Sequence, residues 1–356
     1  MTQLSSHPLP FTLVLSGGGM KGLAHVGVLR ALAARGLAPS LVIGSSIGSL
    51  IAAAWATGMP LEEMATRALR VKRRDIFQVA HVDMALRRMR ATAVYRREPL
   101  ESLITDLVGD RTFDDLVHRL VVNTVDLNSG VQRLWGLPGL RGVRVADAVF
   151  ASCALPGIFP PREIGGRHYV DGAVIENLPV RIAAAEGAGP VVAVNLSGTM
   201  VSRDGAEGAG FAGIYARGLE IVMQVQGENY LRGWSGPPLV LVEPKVEHIS
   251  MFAFDRTGEL MAEGYRATAE ALDALEATGG LAAIEAGLHP QRVVELRIDD
   301  ERCVGCGICV HRAPHVFART DAGKARVLVP LQRWSPLDDA TARDCPTRAI
   351  DIQPAA

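Results

Sequence analysis

Cysteine is nearly absent from the first 302 residues of this 356-residue chain, where Cys153 stands alone. Small secreted domains held together by disulfides spread cysteines along their whole length, so this distribution excludes a disulfide framework. Long apolar runs are absent too, because no stretch reaches the roughly 18 apolar residues that a membrane-spanning helix needs. We therefore expect no transmembrane helix.

The chain also lacks an excess of either charge, because it has 37 basic and 38 acidic residues. This balance gives no electrostatic footprint for nucleic acid, and we expect no nucleic-acid partner. The first residues carry neither a basic region nor a small-residue cleavage site. The apolar run at residues 11–16 is therefore interpreted as a strand and not as a signal peptide. We expect a cytoplasmic protein.

Apolar sequence is abundant, at 48% of the chain, which is enough for a large core. Residues from about 11 to 196 alternate short strands with helical stretches. This order predicts an α/β fold in which helices cover a sheet. The first two helices are predicted to stop at Gly36 and Gly58. Hairpins are predicted to turn at residues 128–130 and 165–166.

Two later stretches interrupt this alternation. The glycine-rich residues 198–213 predict a mobile loop. A further strand and a helix over about 256–277 complete the large domain. The boundary is expected within residues 278–292, which gives domains of residues 1–285 and 286–356.

Residues 67–97 concentrate basic side chains with few acids between them. One interpretation is a solvated helical face. The other is a surface for anionic lipid headgroups, which would give peripheral contact at the inner face of a membrane. The basic residues of the segment are Arg67, Arg70, Lys72, Arg73, Arg74, Arg87, Arg88, Arg90, Arg96 and Arg97.

The first strand leads into a glycine loop. Gly17, Gly19 and Gly22 match the dinucleotide-binding pattern G-x-G-x-x-G, but that pattern requires an acid at the end of the second strand, and none stands there. A Walker loop requires Lys followed by Ser or Thr, whereas Lys21 precedes a glycine. The loop instead offers backbone N–H groups free of side chains, which suit an oxyanion.

A nucleophile elbow follows the second strand. Gly44, Ser46 and Gly48 form G-x-S-x-G between a strand and a helix, a turn that exposes the serine hydroxyl. Asp171 closes a later strand and precedes Gly172, so its carboxylate is a candidate base for the serine proton.

Histidine is the usual base for a serine nucleophile. His25, His168 and His248 are present, but no flanking pattern marks any of them. A Ser–His–Asp α/β-hydrolase with His248 as its base therefore stays an alternative to a Ser–Asp pair.

Four motifs, GGGMKG, GSSIG, ASCALPGIFPP and DGA, occur in this order. In this the chain resembles the patatin-like phospholipase family over about residues 11–196, and as a domain to about 280. The resemblance implies a three-layer α/β/α sandwich that hydrolyses lipid acyl esters through a Ser–Asp dyad without histidine. It implies Ser46 as nucleophile, Asp171 as base, an oxyanion hole of Gly17, Gly18 and Gly19, and Lys21 and Gly22 as supporting residues of the glycine motif.

The remaining cysteines form C-x-x-C-x-x-C at Cys303, Cys306 and Cys309, with Cys345 far downstream and followed by Pro346. Three thiolates on one tight loop and a distant fourth suit an iron–sulfur cluster. Zinc is the competing interpretation, although zinc sites usually supply ligands as two spaced pairs.

Residues 293–352 resemble the bacterial ferredoxin family, which implies a small α+β domain. The fourth cysteine of the family's run would stand at position 313, where this chain has Ala313. Because that cysteine ligates the second cluster of two-cluster ferredoxins, we expect one [4Fe–4S] cluster, with [3Fe–4S] as the form left after loss of an iron. Cys153 is expected to be a buried residue unrelated to the cluster.

The sequence thus predicts a lipid acyl hydrolase, acting on a lipid ester, with an iron–sulfur domain for electron transfer to a redox partner or for redox control. An alternative is an electron carrier or membrane-docking scaffold with a vestigial hydrolase.

Overall fold

A computed structural model describes most of the chain. The described residues are 10–80, 93–187, 189–197, 210–232, 234–276, 279–335 and 337–355. Three of the arginines in the basic segment, Arg87, Arg88 and Arg90, lie outside them, as does the stretch 198–209 of the predicted loop.

The described part of the chain contains a nine-stranded sheet in the order β5-β6-β3-β2-β1-β7-β8-β9, with β4 paired to β3. The strands β1, β2, β3, β7, β8 and β9 pair in parallel, and β4, β5 and β6 are antiparallel to their neighbours. The bounds are β1 Thr12–Leu15, β2 Leu41–Ser45, β3 Leu120–Asp126, β4 Gln132–Trp135, β5 Arg162–Ile164, β6 Arg167–Asp171, β7 Val191–Val194, β8 Leu239–Val242 and β9 Leu288–His289.

Helices connect these strands, and glycines end the first two as predicted. Gly36 and Gly58 both have positive φ, and each donates its N–H to a carbonyl of the last helical turn. The bounds are α1 Ala24–Ala34, α2 Ile47–Ala56, α3 Leu61–Arg70, α4 Glu98–Val108, α5 Val145–Cys153, α6 Ala173–Glu176, α7 Val180–Glu186, α8 Gly210–Arg232 and α9 Thr257–Glu276.

Both faces of the sheet are buried, in two separate apolar cores. Leu13 and Leu15 of β1 belong to the core that contains α1, α2 and α9, whereas Val14 between them belongs to the core that contains α7. This alternation is the period of two that a strand imposes on its side chains. Helices therefore pack on both faces of one sheet, and the predicted three-layer α/β/α arrangement is confirmed.

The predicted hairpins are confirmed, since β3 pairs with β4 and β5 with β6 in antiparallel register. The loop predicted over 198–213 is wrong at its end. Helix α8 begins at Gly210 and continues for 23 residues. Glycines at 210 and 213 suggested a loop, but they belong to the first turn of this long helix.

The C-terminal segment has its own small core. A three-stranded sheet (β13-β10-β14) and a two-stranded sheet (β11-β12) enclose Leu296, Phe317 and Trp334. The bounds are β10 Arg292–Ile298, α10 Ile308–Arg312, β11 Phe317–Arg319, β12 Ala325–Val327, β13 Leu331–Trp334, α11 Asp338–Arg343 and β14 Ile350–Pro354. The small α+β architecture agrees with the expectation from the sequence.

The large sheet extends slightly past the domain boundary that the sequence suggested. Strand β9 pairs with β8 through His289, four residues beyond the expected end at 285, and β10 of the small sheet begins at Arg292. The division into two domains stays a prediction. Within the described residues, every helix falls short of the length or the apolar character needed to cross a bilayer.

Candidate active site

Ser46 occupies a strained turn between β2 and α2. Its φ is 53°, which is unusual for a residue with a side chain. The flanking glycines are required by close packing, because a Cβ on Gly44 would lie 2.4 Å from Cα of Ser49, and one on Gly48 would lie 2.3 Å from the carbonyl oxygen of Leu15. The turn directs the backbone of Ser46 to the start of α2, where the helix dipole favours negative charge.

Two hydrogen bonds in series hold the backbone of Ser46 in place. Its N–H donates to Oγ of Ser152 at 2.9 Å, and that hydroxyl donates to the carbonyl oxygen of Asn123 at 2.7 Å. Ser152 and Asn123 are fully buried. Neither was identified from the sequence, where nothing distinguishes them from core residues.

Asp171 ends β6 and is 1% exposed. Strand β6 pairs with β3 at Thr124, and β3 also pairs with β2, the strand that ends at Ser45, next to Ser46. The sheet order therefore brings Asp171 and Ser46 to one cavity. One carboxylate oxygen, Oδ1, accepts the backbone N–H of Ala173 at 2.9 Å.

Burial raises the pKa of the Asp171 carboxyl to about 7. The Ala173 N–H and then the Ser46 hydroxyl act in the opposite direction, because both form hydrogen bonds that favour the carboxylate. The Asp171 carboxyl thus titrates near neutrality and lies in the same cavity as Ser46. The thiol of Cys153 lies near it, and burial followed by the charge of Asp171 raises the pKa of that thiol, so Cys153 stays protonated.

The glycine loop lies against Ser46. A Cβ on Gly17 would lie 2.9 Å from Cβ of Ser46, so only bare backbone fits there. However, the N–H of Gly17 donates to Oδ1 of Asn177 at 3.0 Å. Among the described residues, no partner is found for the N–H of Gly18 or Gly19. The oxyanion hole of Gly17, Gly18 and Gly19 stays a prediction, in which the N–H of Gly17 already has a partner.

The supporting residues of the motifs are also close to this site. Lys21 is buried and lines the same cavity as Ser46. A Cβ on Gly22 would meet Cγ2 of Ile47 at 2.1 Å, so the glycine allows the loop to pack on the start of α2. A Cβ on Gly172 would lie 2.5 Å from the side chain of Asn123, which explains a glycine after Asp171.

The cavity that contains Ser46 and Asp171 has a volume of about 90 Å³. Its apolar wall includes Phe77, Phe159 and Phe252, and Glu220 and Met223 of α8 close another side. Such a wall suits the hydrocarbon part of a lipid ester.

The three candidate histidines lie elsewhere, and no histidine of the described residues lines this cavity. His248 is exposed and contacts Glu259 at 3.2 Å, and His168 is exposed on β6. His25 is buried, with Nε2 2.8 Å from the carbonyl oxygen of Ser16. Burial lowers the pKa of His25 to about 4, which keeps the ring neutral. The geometry therefore disfavours a Ser–His–Asp arrangement.

The cysteine loop has features of a segment that supplies thiolate ligands. Gly305 and Gly307 adopt positive φ and let the loop curl. Backbone N–H groups reach two of the sulfurs, from Ala325 to Cys303 at 3.4 Å and from Ala349 to Cys345 at 3.2 Å. Hydrogen bonds of this kind are those that cluster thiolates accept.

The electrostatic surroundings of the cysteines show which of them lie close together. Burial and the neighbouring thiols of Cys306 and Cys303 act to raise the pKa of Cys309, which indicates that three cysteines lie near one another. Burial acts to raise the pKa of the Cys345 thiol. Hydrogen bonds from Ala349 and from the turn that follows Cys345 outweigh burial and lower this pKa. No group of three or more His, Cys, Asp or Glu in the described residues has the spacing for a single metal ion.

Together the sheet order, the strained serine and the buried aspartate define an α/β sandwich with a nucleophile elbow. The family model described as patatin-like phospholipase matches residues 13–184, and the model described as a 4Fe-4S single cluster domain matches residues 296–352. The chain thus carries a patatin-like phospholipase domain followed by a 4Fe-4S single cluster domain. Both resemblances found in the sequence are confirmed.

Known proteins share the first of these domains. An uncharacterised NTE family protein of Mycobacterium tuberculosis is 30% identical over 187 residues, which are 52% of this chain and 49% of that protein. Lysophospholipase NTE1 of Yarrowia lipolytica is 30% identical over 187 residues, 52% of this chain and 12% of that protein. The chain thus spans about half the length of the mycobacterial relative. The crystal structure of VipD from Legionella pneumophila matches with a TM-score of 0.41 and 15% identity, covering 76% of this chain and 68% of that one.

Proposed function

We propose that this protein is a serine hydrolase of lipid acyl esters in which Ser46 is the nucleophile and Asp171 the general base. The observation that carries the proposal is that Ser46, held in its strained turn, and the buried carboxyl of Asp171 line one cavity. Burial raises the pKa of that carboxyl to about 7. A base of this pKa accepts a proton efficiently at neutral pH. The names of the relatives, among them a lysophospholipase, support a lipid ester as substrate.

In the acylation half, the proton of Ser46 Oγ passes to the Asp171 carboxylate as Oγ bonds to the ester carbonyl carbon. The carbonyl oxygen becomes an oxyanion beside the N–H groups of Gly18 and Gly19. One such donor contributes on the order of 3 kcal/mol to the transition state. The intermediate then expels the alkoxide, which takes the proton from Asp171 and leaves as an alcohol.

In the deacylation half, a water molecule gives a proton to Asp171 and its oxygen bonds to the acyl carbon. The same two N–H groups stabilise the second oxyanion. The bond to Ser46 Oγ then breaks, and Oγ recovers the proton from Asp171. A fatty acid leaves, and the enzyme returns to its starting state.

The test is release of fatty acid from a panel of phospholipids, lysophospholipids and acylglycerols. Ser46→Ala and Asp171→Asn are expected to abolish release. Ser197→Ala removes another hydroxyl from the same cavity and serves as the matched control with near-normal rates. Equal release by Ser46→Ala and the unmodified protein would contradict the proposal, and no release by the unmodified protein would favour a vestigial hydrolase.

We further propose that one [4Fe–4S] cluster is held by Cys303, Cys306, Cys309 and Cys345, and that its domain controls the hydrolase. When bound, the cluster supplies one-electron chemistry. A contact supports the link between the domains: Nη1 of Arg312, in the helix that follows the cysteine loop, lies 3.3 Å from Oε2 of Glu228 on α8. Helix α8 also lines the Ser46 cavity.

Esterase rates of the cluster-loaded protein, oxidised and reduced, test this control, with Glu228→Gln as the variant that removes the negative charge from the contact. We expect the two rates to differ and the difference to shrink in Glu228→Gln. Thermal unfolding of the same samples shows whether the variant acts through stability alone. Identical rates in both redox states would contradict redox control while leaving the hydrolase proposal intact.

A further inference from the structure

A second, larger cavity lies behind the nucleophile elbow. Its volume is about 230 Å³, and most of the residues that line it are apolar. Helix α2 contributes Leu50 and Ala54, α3 contributes Met64 and Ala68, and Met59 lies on the turn between these helices. No role in the proposed hydrolysis requires this cavity.

Three pairs of consecutive residues separate the two cavities: Met20–Lys21, Ser46–Ile47 and Ile76–Phe77. In each pair one residue lines the large cavity and its neighbour lines the Ser46 cavity. None of the described residues lines both. The close packing of Ile47 on Gly22 adds to this partition. The large cavity therefore has lining residues of its own and offers a second binding space beside the Ser46 cavity.

The size and chemistry of the cavity suit a hydrocarbon chain. An engineered apolar cavity of about 150 Å³ stays dry and takes up benzene, which has six carbons. In proportion, a cavity of 230 Å³ has room for about nine carbons. Each buried methylene contributes about 0.8 kcal/mol, so an alkyl chain of this length would bind firmly.

Charged side chains in the cavity wall indicate which polar head group such an alkyl chain would carry. The charged residues lining the cavity are Arg67, Arg70, Asp75 and Asp106. Nη2 of Arg67 is held by Glu63 at 2.7 Å. Asp75 already accepts a backbone N–H of its own turn at 2.8 Å. Arg70, in contrast, makes no ion pair with any residue that the structure describes.

The surroundings of Arg70 are basic as well, since residues 67–75 carry five basic side chains and one acid. An alkyl chain in the cavity would thus carry an anionic head near a guanidinium that has no other described partner. We propose that this cavity binds the alkyl chain of a fatty carboxylate, with the carboxylate at Arg70. The site goes beyond the proposed hydrolase because Ser46 takes no part in it.

Methionine methyl groups report which cavity is occupied. Met59 and Met64 line the large cavity, whereas Met223 and Met251 line the Ser46 cavity. Full-length Ser46→Ala protein labelled with ¹³C at methionine methyls is titrated with decanoate and followed by NMR. We expect the signals of Met59 and Met64 to shift while those of Met223 and Met251 stay in place. Shifts confined to Met223 and Met251, or no shifts up to millimolar decanoate, would overturn the proposal.

Chain length and head group are tested in the same way. From hexanoate to longer carboxylates, affinity is expected to rise about fourfold per methylene, which is the fold-change equivalent to 0.8 kcal/mol, and to level off near ten carbons. Ala54→Leu, which fills the cavity, should abolish the Met59 shift and keep or raise the melting temperature. Affinity that keeps rising well past ten carbons, or that Ala54→Leu leaves unchanged, would contradict the assignment.

Arg70→Gln is expected to weaken decanoate about tenfold and to leave decanol within twofold, because only the carboxylate forms a charge-assisted hydrogen bond. Arg74→Gln removes a nearby charge that does not line the cavity, and serves as the matched control. An equal loss of decanoate affinity in the two variants would show that Arg70 acts only through the overall positive charge of this surface. Equal binding of decanol and decanoate to the unmodified protein would overturn the carboxylate assignment.

Discussion

The N–H of Gly17 donates a hydrogen bond of 3.0 Å to Oδ1 of Asn177. Asn177 follows the short helix after Asp171, so this bond joins the loop that offers the oxyanion donors to the segment that carries the base. Nδ2 of Asn177 in turn donates to Oγ of Ser197 at 3.2 Å. In the proposed mechanism, these two bonds make Asn177 a positioning residue that holds two parts of the site together.

Asn177→Ala is expected to lower kcat by roughly 10-fold to 100-fold with a smaller change in KM, because the loop loses its anchor and the donors drift from the oxyanion. Ser197→Ala removes only the other partner of Asn177 and should keep near-normal kcat. Steady-state kinetics on one soluble ester compares them. A normal kcat for Asn177→Ala in a fully folded sample would refute the positioning role.

Gly19→Ala tests the oxyanion turn directly. Gly19 has a φ of 58°, and a Cβ there would lie 2.6 Å from the carbonyl oxygen of Met251. We expect kcat to fall by about 10²-fold to 10³-fold as the turn moves. Gly36 has a similar φ of 67° but open space around it. Gly36→Ala should therefore cost about 1 kcal/mol of stability and leave kcat unchanged. Parallel losses of kcat in both variants would point to destabilisation alone.

The pH dependence of kcat/KM follows from the pKa of Asp171. The free enzyme needs the carboxylate form, and burial raises the pKa of this group to about 7. Rates on an uncharged ester should thus rise about tenfold per pH unit below pH 7 and level off above it. If kcat/KM instead rose with a midpoint near pH 4, where an unperturbed carboxyl titrates, the base would be another group or would not be buried.

The raised pKa of Asp171 also makes folding stability depend on pH. Stability is expected to fall with rising pH, whereas the rate is expected to rise. The carboxyl of Asp171 has a pKa of 3.8 in the unfolded chain and about 7 in the folded one, so its contribution to stability is lost as pH rises from about 4 to 7. Asp171→Asn should therefore stabilise the protein at pH 8, by up to about 4 kcal/mol, and have little effect at pH 4. Denaturant unfolding at the two pH values measures this difference. Equal effects at both would indicate that the carboxyl is not shifted.

Iron content tests the cluster. Anaerobically prepared protein is expected to hold about four irons per chain and to show the broad visible absorption of a [4Fe–4S] centre. Cys306→Ser and Cys345→Ser should lose most of the iron. Cys153→Ser, which alters the Ser46 cavity, should retain all of it. One zinc per chain in place of iron would contradict the cluster assignment.

The sequence predicts much of the fold because its signals are local. Glycines end α1 and α2, a Gly-Ser-Ser-Ile-Gly turn joins β2 to α2, and short continuous apolar runs mark the central strands. The start of α8 escaped prediction because Gly210 opens a helix that its composition does not suggest. Helix propensity is a weak signal, and it does not fix where such a helix begins.

The candidate site is predictable only in part. Ser46 and Asp171 belong to motifs, but their approach depends on β3 lying between β2 and β6, which no local pattern encodes. The roles of Ser152 and Asn177 also come from tertiary contacts alone. The large cavity is likewise invisible in sequence, because its lining residues read as ordinary core positions.

The most direct test of the account is labelling with a serine-reactive alkyl fluorophosphonate, followed by peptide mass spectrometry. We expect a single adduct on Ser46, formed at least 100-fold more slowly in Asp171→Asn, with a pH limb near 7 in the unmodified protein. An adduct on another residue, or labelling of Ser46 at an unchanged rate in Asp171→Asn, would contradict the assignment of these two residues as nucleophile and base.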